Sequence, residues 1–347
     1  MNQSEFRKDP VSNEWILISP GRLKYHHKHP TKSYLSRTKR HHTPKTKCPF
    51  EKPFDNISER IILGYGRHYD RDPRSFPKSD PRWEILVLQN RYPIVAEHKS
   101  QAPIRKEKKG IYETVEGVGH ADIVLTRDHN MNFPRLDEWA AHTVFRAFRD
   151  RYRMLQKEPE VRYVSIFHNW GPGAGASVYH PHYQVIGIPV VPPDVARTIE
   201  GSRSYFNSHK RCVHCDMIKE EKKRASRIIY ENSDAIAFAP FVSRNPFEIR
   251  VFPRQHLAYF EDTPESIMCS VSLALQSALK KIEKKLGDPD YIFFIHTAPL
   301  FQKSKHSHYH WHIEVYPKLS MRAGFEFGTG VEVNLFKPEF VAKVLKS

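Results

Sequence analysis

Cysteine is scarce in this sequence, and long apolar runs are absent. Only four of the 347 residues are cysteine, too few for the disulfide scaffold of a small secreted domain. No apolar stretch reaches the roughly eighteen residues of a membrane-spanning helix, and Met1–Pro20 has no secretory hydrophobic segment. These absences exclude a membrane span and a disulfide-rich extracellular protein, so we expect a cytoplasmic location. Hydrophobic residues make up 39% of the chain, which is enough for a globular core.

Acidic residues are also underrepresented. The 39 Asp and Glu residues are outnumbered by 55 Lys and Arg, and the formal net charge is +16. Such a charge favours an anionic partner. Much of it lies in Arg22–Lys47, a segment poor in large apolar side chains that we expect to be a long exposed loop. A solvated loop, an arm for nucleic acid and a preference for phosphorylated ligands remain open, but no known nucleic-acid-binding motif accompanies the segment.

The most informative motif is Asn169–Gln184, which reads NWGPGAGASVYHPHYQ. Its small residues predict a loop whose backbone approaches a ligand closely and directs N–H groups at an anion such as phosphate; they are Gly171, Gly173, Gly175, Ala176 and Ser177. His180 and His182 follow two residues apart, so in an extended segment both imidazoles lie on one face. Two imidazoles beside a phosphate loop indicate either a metal ion or a histidine that becomes phosphorylated.

The chain also contains an internal duplication. Helices are predicted over Asn132–Lys157, with Pro134 in the first turn, and over Pro264–Leu286, because apolar residues recur there at about 3.6-residue spacing. The predicted strands are Trp15–Ser19, Glu84–Leu88, Asp122–Leu125, Val161–Phe167, Tyr183–Ile188, Asp234–Ala239, Phe247–Phe252, Tyr291–His296 and His312–Tyr316. Each copy therefore runs strand, long helix, strand, strand.

Histidine spacing supports the same duplication. His129 and His180 are 51 residues apart, and His256 and His310 are 54 apart. We predict an α+β protein of two similar halves, residues 1–195 and 196–347. Only the first copy keeps the glycine-rich loop and the His-Pro-His, so we expect the first half to be catalytic and the second to be structural or substrate-binding.

These motifs resemble the galactose-1-phosphate uridylyltransferase family of the histidine-triad superfamily. The resemblance runs nearly end to end and includes RKDPVSNEWILISPGR, Gln89–Pro93, the Asn-x-Gly to His-Pro-His-x-Gln core, and GFEFGTG at Gly324–Gly330. It implies two fused histidine-triad-like halves, each a mainly antiparallel sheet with a long helix. The chain length, the Cys212-x-x-Cys215 pair and GFEFGTG are similar to the plant-type ADP-glucose phosphorylase branch. The His-Pro-His is typical of the uridylyltransferases, because the plant-type protein has serine between its histidines.

The resemblance implies covalent nucleotidyl transfer. His182 would attack the α-phosphorus of a nucleotide sugar, release a hexose 1-phosphate and form a nucleotidyl-imidazole, with ping-pong kinetics. A neutral imidazole suits this role, since its ordinary pKa of about 6.5 leaves it mostly unprotonated at neutral pH. Gln184 would hydrogen-bond a phosphoryl oxygen. The implied substrate contacts are Gly175 and Ser177 with the phosphates, Arg22 near the phosphates, Asn90 and Asn169 with the nucleotide, and Glu326 with hexose hydroxyls.

The resemblance also implies two metal sites that stabilise loops. The first set corresponds to Cys48, Glu51, His129 and His180, where Glu51 replaces a family cysteine and makes a harder zinc site. For the second, the plant-type pattern gives Cys212, Cys215, His256 and His310. The bacterial pattern would use a carboxylate such as Glu200 with His296, His310 and His312, suited to iron or zinc. We favour the plant-type set, because a close cysteine pair indicates metal or redox chemistry.

Several functional hypotheses follow. The leading one is a UDP-glucose:hexose-1-phosphate uridylyltransferase, and the nearest alternative is an ADP-sugar phosphorylase that transfers adenylyl groups to phosphate. A histidine-triad hydrolase is disfavoured by the Pro181 and Gln184 pattern and by the Glu326 tail. A zinc-stabilised nucleic-acid-binding protein is less favoured, because the catalytic set of the first half is intact. The family resemblance further implies a homodimer whose partners are nucleotide sugars and sugar phosphates.

Overall fold

A computed structural model of the protein describes residues 3–23, 43–54, 61–77, 79–98 and 103–347. Most of the basic segment expected to be an exposed loop, Arg22–Lys47, lies outside these residues. Within the described ranges no helix is both long and apolar enough to cross a membrane.

The fold is α+β and is built on antiparallel strands, as predicted. The strands are β1 (Glu5–Lys8), β2 (Trp15–Ile18), β3 (Ile61–Tyr65), β4 (Ile85–Gln89), β5 (Lys106–Lys109), β6 (Tyr112–Val115), β7 (His120–Thr126), β8 (Tyr163–Trp170), β9 (His182–Ile188), β10 (Ile228–Glu231), β11 (Ala235–Phe238), β12 (Ile249–Pro253), β13 (Tyr291–His296), β14 (His312–Pro317) and β15 (Val333–Asn334). Ten of them form one sheet in the order β10-β11-β12-β14-β13-β8-β9-β7-β4-β3. β1, β2 and β15 form a small second sheet, and β5 and β6 form a hairpin.

Helices cover and flank this sheet. They are α1 (Glu138–Leu155), α2 (Pro193–His209), α3 (Val213–Arg224), α4 (Glu265–Leu286), α5 (Gly324–Thr329) and α6 (Pro338–Lys346). α1 and α4 are the two long helices expected from the sequence. They pack against each other, and their apolar faces share one core with strands from both halves of the sheet.

Sheet order confirms the internal duplication. The order β8-β9-β7-β4-β3 in the first half is matched by β13-β14-β12-β11-β10 in the second, and each half has its long helix between equivalent strands. β8 pairs with β13 in an antiparallel ladder, so the two repeats share one continuous sheet rather than packing as separate sheets. The boundary between residues 195 and 196 stays a prediction.

The start of α1 differs from the sequence prediction. Pro134 lies in a separate 3-10 turn, Phe133–Arg135, and the helix begins only after Asp137, whose carboxylate accepts a hydrogen bond from the Ala140 N–H at 2.9 Å. An N-terminal aspartate of this kind satisfies a backbone donor that has no partner within the helix. The helix is therefore capped at Asp137, and apolar spacing alone placed its start too early.

Strand register sets the position of the candidate site. Tyr183 and Val185 of β9 point into the helix-side core. Alternation along the strand then places His182 and Gln184 on the opposite face. Gln184 pairs with Phe167 of β8 and Ile123 of β7, so it lies in the middle of the sheet while His182 lies at the end of its strand.

Candidate active site and metal centres

His182 is held in one tautomer by the backbone. Its Nδ1–H donates to the carbonyl oxygen of His180 at 2.9 Å, so its Nε2 carries the lone pair. Burial lowers the pKa of His182 below its ordinary value, against the opposing effect of that hydrogen bond. The ring of Phe50 lies 5.2 Å from the imidazole, centre to centre. His182 is therefore a neutral imidazole with Nε2 available to a ligand.

A hydrogen-bond chain beneath His182 was not predicted from the sequence. The buried His168 donates from Nδ1 to the carbonyl oxygen of His182 at 2.7 Å, and its Nε2 lies 3.0 Å from Asn132 Oδ1. The Asn132 side-chain amide donates to the hydroxyl of Tyr291 at 2.8 Å. Tyr291 begins β13, so this chain ties the backbone of His182 to the second half of the molecule.

The glycine-rich loop is shaped by a carboxylate of the second half, which corrects part of the sequence interpretation. Gly171 and Gly175 have positive φ angles of 84° and 85°. A Cβ at Gly171 would lie 1.9 Å from Asp290 Oδ1, and a Cβ at Gly173 would lie 2.7 Å from Asp290 Oδ2. The Gly173 N–H donates to Asp290 at 2.6 Å. Gly171 and Gly173 therefore make room for Asp290 rather than for a ligand.

Ser177 has hydrogen-bond donors that are not used within the loop, unlike the N–H groups of Gly175 and Ala176. The Gly175 N–H donates to Pro172 O at 3.0 Å, and the Ala176 N–H donates to Gly171 O at 3.1 Å. Ser177 is exposed and has no hydrogen-bond partner among the described residues. A cavity of about 130 Å³ beside it is lined by Thr43, Trp170, Gly171, Pro172, Ala176, Ser177, Val178 and Tyr179.

The other predicted substrate-binding residues do not all lie beside the glycine-rich loop. Asn169 lies beside both parts of the site. Its Nδ2 is 3.8 Å from the position that a Cβ on Gly175 would take. It follows the His168–Tyr183 pair of the β8–β9 ladder, and continuation of that register places it across from His182. Asn90 follows β4, and its Oδ1 accepts from the Tyr92 N–H at 3.0 Å. Arg22 is exposed at the end of the short turn after β2.

Glu326 lies apart from this group. It sits in α5, where its carboxylate accepts from the Ala323 N–H at 2.9 Å and thus caps its own helix. No contact joins Glu326 to His182 or to the glycine loop in the part of the chain that the structure describes. Within one chain the predicted hexose-binding residue is therefore not assembled with the nucleophile.

The first predicted metal set is assembled. Ligand atoms of Cys48, Glu51, His129 and His180 all lie within 4.8 Å of one another. Glu51 Oε1 is 3.1 Å from His129 Nδ1 and 3.5 Å from His180 Nδ1, and Cys48 Sγ is 3.6 Å from His180 Nδ1. The Nε2 atoms of the two histidines donate to the carbonyl oxygens of Thr43 and Thr126, each at 2.7 Å.

This arrangement fits a metal ion. A carbonyl acceptor on Nε2 leaves the Nδ1 lone pair for a metal, which is the usual outer-shell arrangement of a ligating histidine. Burial lowers the pKa of His180 to about 4, so its imidazole is neutral at physiological pH. One thiol, one carboxylate and two neutral imidazoles form a donor set that zinc accepts.

The second predicted set has the same design. Cys212, Cys215, His256 and His310 also offer ligand atoms within 4.8 Å of one another. Cys215 Sγ is 3.4 Å from His256 Nδ1 and 3.5 Å from His310 Nδ1. Here the Nε2 atoms face the carbonyl oxygens of Ser307 at 2.7 Å and Pro253 at 3.0 Å. Two thiols and two oriented imidazoles fit a structural zinc site.

The alternative set with Glu200 is not formed. The side chain of Glu200 is 68% exposed and pairs with Arg203 at 3.1 Å. His310 instead faces Cys215, while His312 Nε2 lies 3.4 Å from Glu314. His296, His312 and Glu314 line a separate cavity of about 140 Å³. Helix α2 turns Glu200 towards solvent, and the carboxylate beside His312 is Glu314.

The fold and the histidine-bearing strand define a two-half protein of the histidine-triad type. A family model described as Domain of unknown function (DUF4921) matches residues 126–347. The ADP-glucose phosphorylase of Arabidopsis thaliana is 33% identical to this chain, over 99% of it and 93% of that protein. The galactose-1-phosphate uridylyltransferase of Thermotoga maritima is 26% identical, over 99% of this chain and 98% of that protein.

Solved structures agree with these relatives. The crystal structure of the Arabidopsis thaliana ADP-glucose phosphorylase with bound ADP-glucose has a TM-score of 0.80 and 29% identity, covering 99% of this chain and 98% of that one. A uridylyltransferase structure has a TM-score of 0.71 and 27% identity, covering 99% and 97%. The chain belongs to the galactose-1-phosphate uridylyltransferase-like family, which includes the plant ADP-glucose phosphorylase.

Proposed function

We propose that this protein transfers a nucleoside monophosphate from a nucleotide sugar to a phosphate-bearing acceptor through a nucleotidyl-His182 intermediate. The observation that carries the proposal is the Nδ1–H bond from His182 to the His180 carbonyl, which leaves the lone pair of His182 on Nε2. A neutral imidazole needs no further base to act as a nucleophile. Family membership supports the same reaction class.

The transfer takes place in two balanced steps. In the first, Nε2 of His182 forms a bond to the α-phosphorus, and the bond from that phosphorus to the bridging oxygen breaks, releasing hexose 1-phosphate. In the second, an acceptor phosphate oxygen attacks the same phosphorus and the P–N bond breaks, restoring His182. We assign Ser177 to the phosphates and Gln184 to a phosphoryl oxygen next to His182, as donors that stabilise developing charge. Gly175, whose N–H is bonded to Pro172, would let the backbone approach the phosphates closely rather than donate to them.

Two pairs of donor and acceptor substrates are compatible with this mechanism. The Pro181 between the histidines favours uridylyl transfer to a hexose 1-phosphate, as in the uridylyltransferases. The 33% identity and 0.80 TM-score to the ADP-glucose phosphorylase, together with the assembled Cys212 and Cys215 site, favour adenylyl transfer to inorganic phosphate. The same His182 chemistry serves both pairs.

Initial-rate kinetics with all four combinations test this proposal. UDP-glucose and ADP-glucose are each paired with inorganic phosphate and with galactose 1-phosphate. A nucleotidyl-His182 intermediate predicts parallel double-reciprocal lines for the active pair. Intersecting lines for every active pair would show direct transfer and contradict the covalent intermediate.

We further propose zinc at both metal clusters and a homodimer in the cytoplasm. Bound zinc would tie loops to the sheet and contribute folding free energy, with no part in the phosphorus chemistry. Glu326 would reach a hexose only if α5 approached His182, either from a second copy or on substrate binding. Metal analysis and light scattering of the purified protein test the zinc content and the dimer.

A further inference from the structure

A turn of the second half contacts the catalytic loop of the first. This turn, residues 287–290, joins α4 to β13. Its two aspartates hold both ends of the same segment: Asp288 accepts from the indole N–H of Trp170 at 2.9 Å, and Asp290 accepts from the Gly173 N–H at 2.6 Å. Trp170 ends β8 and Gly173 lies inside the loop. The loop that precedes the nucleophile is thus anchored from outside its own half.

We propose that Asp290 is a positioning residue for nucleotidyl transfer, whose carboxylate sets the glycine-rich loop so that Ser177 faces the phosphates. This inference rests on the proposed function. It assigns to the second repeat a role in catalysis other than metal binding. It also explains why the loop has glycine at two positions where a Cβ would meet the Asp290 carboxylate.

The contacts leave the loop little freedom around Asp290. Both carboxylate oxygens occupy the space that a Cβ would fill, at 1.9 Å for Gly171 and 2.7 Å for Gly173. Asp290 is itself fixed, because its carbonyl oxygen accepts from the Lys318 N–H at 2.8 Å. A hydrogen bond to an ionised carboxylate is shorter and stronger than a neutral one. Asp290 therefore determines where the segment from Gly171 to Gly173 lies.

The rest of the loop follows from that anchor. The N–H groups of Gly175 and Ala176 are bonded back to Pro172 and Gly171, so the loop moves as one folded unit. Ser177 follows immediately after this unit. If Asp290 is removed, Ser177 shifts relative to His182, and misplacement of about 1 Å can cost about 100-fold in rate.

The test compares Asp290→Ala with Asp290→Asn, which keeps an oxygen acceptor of the same shape. Single-turnover formation of the labelled nucleotidyl-enzyme is measured at saturating nucleotide sugar. We expect a fall of about 100-fold for Asp290→Ala and of less than about fivefold for Asp290→Asn. Asp262→Ala, an exposed aspartate paired with Lys303, is the matched control and keeps the wild-type rate.

A double-mutant cycle separates positioning from loss of folding. Gly173→Ala places a methyl group 2.7 Å from Asp290 Oδ2 in the wild-type protein, but Asp290→Ala removes that neighbour. We expect Gly173→Ala to slow labelling strongly alone and to add little in the Asp290→Ala background. Equal effects of Gly173→Ala in both backgrounds, or wild-type labelling by Asp290→Ala, would overturn the proposal.

A readout independent of activity keeps the two proposals distinguishable. With 15 glycines in the chain, glycine-selective ¹⁵N labelling gives a sparse amide spectrum, in which Gly173 is assigned from its loss in Gly173→Ala. Hydrogen exchange at the Gly173 amide should be protected in the wild type and Asp290→Asn, and at least about tenfold faster in Asp290→Ala. If the wild type forms no nucleotidyl-enzyme but the Gly173 amide shows this exchange pattern, the proposed function is contradicted, whereas the anchoring of the loop by Asp290 is supported. An unprotected wild-type Gly173 amide overturns the anchor itself.

Discussion

At the residue scale, the two repeats differ in what faces the second histidine of each motif. His312 has the same backbone bond as His182, since its Nδ1 donates to His310 O at 3.1 Å. Burial lowers the pKa of His312 to about 4, against the opposing effect of Glu314 beside its Nε2. However, that Nε2 faces Glu314 at 3.4 Å, whereas the corresponding residue in the first repeat is the neutral Gln184. A carboxylate repels a phosphate and an amide can donate to it, so this difference supports the proposed assignment of the transfer to the first repeat.

This comparison predicts the effect of exchanging the two side chains. Gln184→Glu should slow formation of the nucleotidyl-enzyme by about 100-fold or more, because it puts a negative charge beside the reacting phosphate. Gln184→Ala removes only a hydrogen bond and should cost about tenfold. Rapid-quench labelling measures both. Equal rates for the two variants would contradict the electrostatic explanation.

The pH dependence of labelling follows from the burial of His182. The reactive form is the unprotonated imidazole, and burial lowers the pKa of His182 below the ordinary value of about 6.5. The rate of the first half-reaction should therefore fall in acidic solution with a midpoint below about pH 6.5. A single-turnover pH profile checks this. An inflection at or above the ordinary histidine value would show that the site does not lower the pKa.

At the element scale, α1 is fixed to the sheet by a buried ion pair. Arg151 donates to Asp122 of β7 at 2.7 Å, with side chains only 6% and 1% exposed. Burial raises the pKa of Asp122, and the charge of Arg151 opposes that shift. Removing one partner of such a pair leaves a buried charge and costs more than removing both.

Substitutions in this pair test how firmly α1 is held. Arg151→Met should lower the free energy of unfolding by about 3–5 kcal/mol, because Asp122 is then left buried and unpaired. The double variant Arg151→Met with Asp122→Leu should recover most of that loss. Urea unfolding followed by circular dichroism measures both, and a double variant no more stable than the single one would argue against the explanation.

Helices and strands could be predicted where apolar residues recur with a strong period. They could not be predicted where the position of an element depends on tertiary contacts. The apolar spacing of α1 and α4 and the repeated order of strands led to the right architecture, but Pro134 and Asp137 show that caps decide helix starts. The short strands β1, β3, β5, β6, β10 and β15 were not predicted, because they are too short to show a clear alternation. Within the site, His182 and the residues of both metal clusters were proposed from the family motifs, whereas Asp290 reaches the glycine-rich loop through the β8–β13 pairing and His168 reaches the His182 backbone through the β8–β9 pairing.

At the scale of the whole molecule, the second metal cluster joins segments that are distant in sequence. Cys212 and Cys215 lie at the start of α3, His256 follows β12 and His310 precedes β14. A metal ion at this point would close two long loops of the second half. That half would then be stabilised by the ion without bringing it near His182.

Loss of one ligand should affect stability but not the reaction. Cys215→Ser should reduce the metal content and weaken zinc binding by about 100-fold, which corresponds to about 2.7 kcal/mol and, for a chain of this size, to a melting temperature lower by about 3–5 °C. Labelling of His182 well below that temperature should be unchanged. Calorimetry and metal analysis give the first two values. Loss of labelling in a folded Cys215→Ser protein would place this metal in the chemistry.

The central claim is that Nε2 of His182 carries the nucleotidyl group. The most direct measurement is to incubate the protein with UDP-glucose and, separately, with ADP-glucose, each labelled at the α-phosphate, and to quantify label retained after denaturation. His182→Ala is the test variant, and His312→Ala, its equivalent in the second repeat, is the control. We predict that the wild type and His312→Ala retain label from one donor, and that this label is acid-labile and base-stable. His182→Ala should retain no label. Label that persists in His182→Ala, or no label from either donor in the wild type, would contradict it.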